Sequence, residues 1–191
     1  NGQLQRVQVE LADNSLHWQR TGVQHSLQLG PGQLLWQPDT EGWQLVSSQL
    51  SLASQLERWD GFQLQLSKHG EHLQASLQQF QLDALEPLAQ LLTEDSNLLQ
   101  RILAHQPTGY LDQLSVTLQQ QQFKLHGEFR EFGVTPVGDI PGVQQLSGQF
   151  WAGNDFAWLS LSGEQQQLSW DGLFSDSWDY QQLQADIRLR Q

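Results

Sequence analysis

Two imidazoles and a carboxylate fall within four residues at His69-Gly70-Glu71-His72, and these are the donor types that hold zinc or move protons. A metal needs its donors convergent. An i, i+3 pair converges on a helix, but here it spans a turn between two alternating stretches, so Lys68-His69-Gly70-Glu71 reads as a solvated hairpin turn. His17, His25, His105 and His126 are scattered, with no Asp or Ser at a spacing that builds a nucleophile and its base. There is no Gly-x-Ser-x-Gly elbow and no phosphate-binding glycine loop, and Gly138-Asp139-Ile140-Pro141-Gly142 reads as a turn. With no cysteine, thiolate chemistry and disulfides do not arise. The residues point away from an enzyme, and no metal or cofactor is expected.

Tryptophan is the other chemistry-bearing type. Trp18, Trp36, Trp43, Trp59, Trp151, Trp158, Trp170 and Trp178 have the rings that stack on sugars in carbohydrate-binding modules. Most sit inside alternating stretches, where an indole is a core or rim residue with its N–H in reach of water.

The elements that carry these residues are legible from leucine and glutamine, which fill more than a third of the chain and in many places alternate, as in Gln63-Leu64-Gln65-Leu66. Successive strand side chains point to opposite faces, so each such stretch has one oily and one wet face. Strands are expected near 3–11, 15–19, 22–29, 33–37, 43–46, 49–53, 61–67, 72–78, 110–118, 122–130, 144–151, 156–162, 166–170 and 181–190. Between Asp83 and about His105 the spacing turns helical through Leu85, Leu88, Leu91, Leu92, Leu98, Leu99, Ile102 and Leu103. Asp83 with Glu86 reads as a capping-box variant, Pro87 fits a first turn, and Thr93 to Asn97 break the segment into two short helices. The helical stripe is expected to pack on the sheet, because Glu86, Glu94 and Asp95 against Arg101 do not suit an interfacial helix. The fold class is mainly β: a large curved antiparallel sheet forming an open groove, with one short helical insertion over about 84–105. No linker divides residues 1–191, which are read as a single β-rich segment.

A net charge of −12 argues against nucleic acid and against electrostatic attachment to anionic lipid headgroups. No run reaches the roughly 18 apolar residues of a membrane span. The opening Asn1-Gly2 and the absence of Met suggest a piece of a longer protein, so membrane contact is expected only through parts outside this chain.

The oily face decides the function. Closed on itself it is an ordinary core; left open it is a trough that meets a ligand, and about 22 helical residues are too few to cover a dozen strands. The expected lining is Val7, Val9, Leu11, Leu27 and Leu29, then Leu64 and Leu66, then Leu114, Val116, Leu118, Phe123, Leu125, Leu159, Leu161, Ile187 and Leu189. A one-residue register error would turn any of these strands over.

The stretch Ile140-Pro141-Gly142-Val143-Gln144-Gln145-Leu146-Ser147-Gly148 resembles the YhdP-type members of the AsmA-like superfamily of Gram-negative bacteria. The leucine-rich piece from Leu85 to Leu103 leads into Gln106-Pro107-Thr108-Gly109-Tyr110-Leu111, similar to that family's P-x-G-x-L passage. Trp158-Leu159-Ser160-Leu161 and Gln167-Leu168-Ser169-Trp170 are similar to its short closing strands; the first 80 residues match in style only. The resemblance implies an inner-membrane-anchored protein with its body in the periplasm, a β-groove conducting phospholipid between inner and outer membranes, and no catalytic residues. The implied partners are phospholipid acyl chains and the remainder of the full-length protein. A structural or partner-binding β-domain of the envelope with a closed core, and a carbohydrate-binding module, are the alternative readings.

Overall fold

The computed structural model describes residues 5–20, 22–54, 57–91, 97–170 and 176–190. Its strands are β1 (Val7–Leu11), β2 (Asn14–Arg20), β3 (Val23–Leu29), β4 (Gly32–Pro38), β5 (Gly42–Ser47), β6 (Leu50–Ala53), β7 (Arg58–His69) and β8 (His72–Gln81). After the helical insertion follow β9 (Thr108–Gln119), β10 (Gln122–Val134), β11 (Gly142–Gly153), β12 (Phe156–Ser169) and β13 (Trp178–Arg190). All pair antiparallel in one 13-stranded sheet. Its main path runs β1-β4-β5-β7-β8-β9-β10-β11-β12-β13, and the two ends do not pair, so the sheet is not a closed barrel. Where two strands were expected at 156–162 and 166–170, β12 is continuous, held along its length by unshifted pairing with β13 from Phe156↔Arg190 to Leu168↔Trp178.

Strand β7 is long enough to hold two partners along one edge. Gln65 to His69 pair with β5, while Arg58 to Phe62 meet β6. At this fork the backbone N–H of Leu64 donates to the hydroxyl of buried Ser47 at 2.8 Å, which satisfies a group that neither ladder reaches. The branch β2-β3-β6 carries Leu27 and Leu52 into the main core, against Trp59 of β7 and Phe80, Leu82 and Ala84.

The helical insertion closes the same end. A 3-10 turn at Leu82–Ala84 leads into α1 (Leu85–Leu91), and α2 spans Asn97–Ala104. Asp83 is not the N-cap: it lies inside the 3-10 turn, the cap position belongs to Gln81, and no side chain caps there. The capping box fails because the buried Leu82 and Ala84 pull the chain into a tighter turn before α1 begins. Pro87 does sit in the first turn of α1. The expected break after Leu91 falls on 92–96, outside the described residues. Leu85 and Leu88 pack on the cluster with Phe62, Leu77, Leu111 and Phe132. Beyond α2, Thr135 of the β10–β11 loop ties down the exit, its N–H and hydroxyl both donating to the His105 carbonyl at 2.7 and 3.1 Å.

The sheet is creased along a line of irregular residues. Gln79 of β8, Glu131 of β10 and Gln145 of β11 have φ of 57°, 52° and 61°, and the pairing registers of β9–β10, β10–β11 and β11–β12 shift between or beside them. Bulges bend a strand and raise its local twist. Repeated at similar height on neighbouring strands, they curve the sheet. None of the three is glycine, so each sits in a backbone region that disfavours side chains.

Two stability tests follow. Exposed Gln145 should respond through its backbone alone: Gln145→Val should cost about 1–2 kcal/mol and Gln145→Gly should be neutral or slightly stabilising. Leu27, at 1% exposure, should cost about 2–5 kcal/mol as Leu27→Ala. Urea midpoints measure both.

Candidate functional site: the concave apolar face

Directly opposed residues of an antiparallel pair share a face, so the pairing registers define rows that cross the sheet. One row is apolar through all ten strands of the main path: Val7, Trp36, Leu45, Leu66, Ala75, Val116, Leu125, Ala152, Ala157 and Leu189. Nine spacings of about 4.8 Å give it a contour of about 43 Å. The next row runs Leu64, Leu77, Leu114, Gly127, Phe150, Leu159 and Ile187. A third runs Phe80, Leu111, Phe129, Gly148, Leu161 and Ala185.

Glycine would interrupt such a lining, and the structure fills both gaps. A Cβ built on Gly127 would collide with Cζ of Phe150, and one on Gly148 would collide with the Ser160 carbonyl oxygen and lie 2.9 Å from Cζ of Phe129. The two rings therefore lie over their glycine neighbours and keep the surface hydrocarbon. Phe129 also touches Phe132 and Phe150, with ring centroids at 5.5 and 6.3 Å.

The other face is more polar in the same registers, although one of its rows also holds Leu35, Val46, Trp151 and Trp158. Gln65, Ser76, Ser115 and His126 lie in one row, and Gln63, Gln78, Gln113, Glu128, Gln149, Ser160 and Asp186 in another. His126 stacks on Trp151 at 4.6 Å and Trp151 on Trp158 at 4.3 Å, so these rings cover one another's faces. Arg130 lies 3.8 Å over the Tyr110 ring and pairs with Asp112 at 2.9 Å and Glu131 at 3.3 Å, bracing the crease. The hydrogen bond to Asp112 raises its pKa further.

Of the residues expected as lining, fourteen share the face of the long apolar row: Val7, Val9, Leu11, Leu64, Leu66, Leu114, Val116, Leu118, Phe123, Leu125, Leu159, Leu161, Ile187 and Leu189. Leu27 and Leu29 stand elsewhere, Leu27 inside the sealed cluster and Leu29 packed on it, because β3 belongs to the branch. Sequence reading passed over Trp36, Leu45, Phe129 and Phe150 as lining. Period-2 alternation with Phe123 and Leu125 marks the facing of Phe129, whereas Trp36, Leu45 and Phe150 stand on strands from which no lining residue was expected.

The face is uncovered over much of its extent. Val9 is 44% exposed, Leu118 44%, Ile187 45% and Leu189 64%. The whole molecule exposes 13314 Å², whereas a compact protein of 21.8 kDa would expose about 9,300 Å².

Among the described residues no three His, Cys, Asp or Glu side chains are placed to hold a metal ion. The His69 ring sits between Asp39 at 3.5 Å and Glu41 at 3.1 Å, linking two turns rather than joining His72 in a site. The backbone and hydroxyl of Thr40, ahead of His69, lower the Asp39 pKa below the usual carboxylate value. Asp39 therefore supports folding above its ordinary pKa, and that support is lost as pH falls through the lowered value.

The open antiparallel sheet thus carries an apolar row across all ten strands of its main path on one face and a more polar opposite face. The chain matches the family model described as YhdP protein over residues 1–191 and belongs to that family of AsmA-like bacterial envelope proteins, which is not a known enzyme family. No curated protein and no solved structure matches it. Among the described residues no helix is long and apolar enough to cross a membrane.

The glycine gaps give a test of the lining. Gly127→Val should displace the Phe150 ring and cost about 1–3 kcal/mol by urea denaturation, while Gln113→Ala on the polar face should change stability by less than about 0.5 kcal/mol.

Proposed function

We propose that this chain is a periplasmic section of an inner-membrane-anchored envelope protein, and that its trough carries phospholipid acyl chains between inner and outer membranes. The observation that carries the reading is the ten-strand apolar row on a face left open to solvent. Each methylene left in water costs about 0.8 kcal/mol. An acyl tail cannot cross an aqueous space at that cost, and a continuous oily surface offsets it strand by strand while the polar head stays outside. Continuity matters most: a gap of three methylenes adds about 2.4 kcal/mol, near a fifty-fold slowing if it lies on the limiting barrier.

Family membership supports the envelope setting. The closed-core alternative is disfavoured by the excess surface and by the exposure of Leu118, Ile187 and Leu189. A carbohydrate-binding module needs open ring faces, and the Trp151–Trp158 stack offers few.

Mass spectrometry of lipid recovered with the purified chain tests the reading. Val116→Asp, in the middle of the long row, should lower recovered lipid about fifty-fold. Gln119→Glu, at an exposed turn, should leave it unchanged. Equal recovery from both variants, or no lipid from the unaltered chain, would reject the trough.

A further inference from the structure

The apolar rows end toward the hairpin turns in a rim row of partners, Trp43, Lys68, Leu73, Leu118 and Phe123. Exposure marks it as a rim: Leu73, Leu118 and Phe123 are 37%, 44% and 39% exposed, whereas their neighbours one row deeper are half-buried. Across this row and the three deeper ones, Lys68 is the one charged residue. The chain has only nine lysines and arginines against twenty-one acids, so a lone cation on the oily face is out of keeping with its surroundings.

Its neighbours explain what it can do. A lysine lays its methylenes along apolar surface and keeps its ammonium in water. Here the stem has Trp43 on one side and Leu73 on the other, which places the charge at the level where hydrocarbon gives way to solvent. An indole beside a lysine is the pair that marks a hydrocarbon–water boundary. The adjoining turn carboxylates, Asp39 and Glu41, face His69 instead. Among the described residues Lys68 takes part in no ion pair.

We infer that Lys68 is a phosphate-contacting residue at the rim of the trough: its ammonium binds the headgroup phosphate of an amphiphile whose tails lie on the rows below. This rests on the trough reading and adds to it a point of headgroup contact. A phosphate is also available as a free anion, and the chemistry at Lys68 is the same for both; the tails distinguish them.

The test measures binding of a short-chain phospholipid, the matching diacylglycerol without phosphate, and inorganic phosphate to the 191-residue chain. Lys68→Gln should weaken the phospholipid about five- to tenfold and leave the diacylglycerol unchanged, and Lys68→Arg should restore the phospholipid. Val116→Asp should weaken both lipids about fifty-fold. An unchanged phospholipid affinity in Lys68→Gln, with Val116→Asp still inhibitory, overturns the role of Lys68 and leaves the trough standing. Inorganic phosphate shifting the Lys68 Nζ resonance as strongly as the phospholipid would mean a free-anion site and overturn the headgroup assignment. No lipid binding by the unaltered chain removes the trough reading, and this role with it.

Discussion

Oily side chains held in water at about 25 cal/mol for each square ångström set the terms for this molecule. A sheet of this size ordinarily hides its apolar face under helices or a second sheet. Here one end of the face is hidden, by the β2-β3-β6 branch and the insertion, and the buried apolar residues gather there. The rest is arranged so that neighbouring strands shield one another. Cross-strand rows put leucine beside leucine, and phenylalanine rings lie over glycines, so most of the face is half-buried before any ligand arrives.

Curvature follows from the same constraint. Bulges on neighbouring strands bend the sheet. The crease uses Gln79, Glu131 and Gln145 in a costly backbone region, and Arg130 with Asp112 and Tyr110 braces it from the polar side. The sealed end supplies the stability that the open end lacks. Leu27, Trp59 and Ala84 are nearly solvent-free, while Leu73, Leu118 and Phe123 of the rim are exposed by more than a third.

The polar face shows why aromatic content was an ambiguous signal. Eight tryptophans suggest either a core or a sugar platform. In the fold they take different tasks: Trp59 closes the core, Trp36 lines the long row, and Trp151 and Trp158 stack on the outside with His126. Ring type alone did not distinguish these, because the face of each depends on the register of its strand.

Leucine–glutamine alternation by itself determined that the chain is an antiparallel sheet with one oily face, that the period breaks near Leu82, and that most of the lining alternates as Val116 and Leu118 do. Those are local properties: side chains two apart share a face whatever the partner strand. Only the tertiary structure decided that β3 leaves the main path and carries Leu27 into the core, that Asp83 lies inside the first turn with Gln81 at its N-terminal position, that β12 is one strand, and that Lys68 stands on the oily rim. Each depends on pairing between residues distant in the chain, on a fork or a bulge that shifts register by a residue, and no local alternation records that shift.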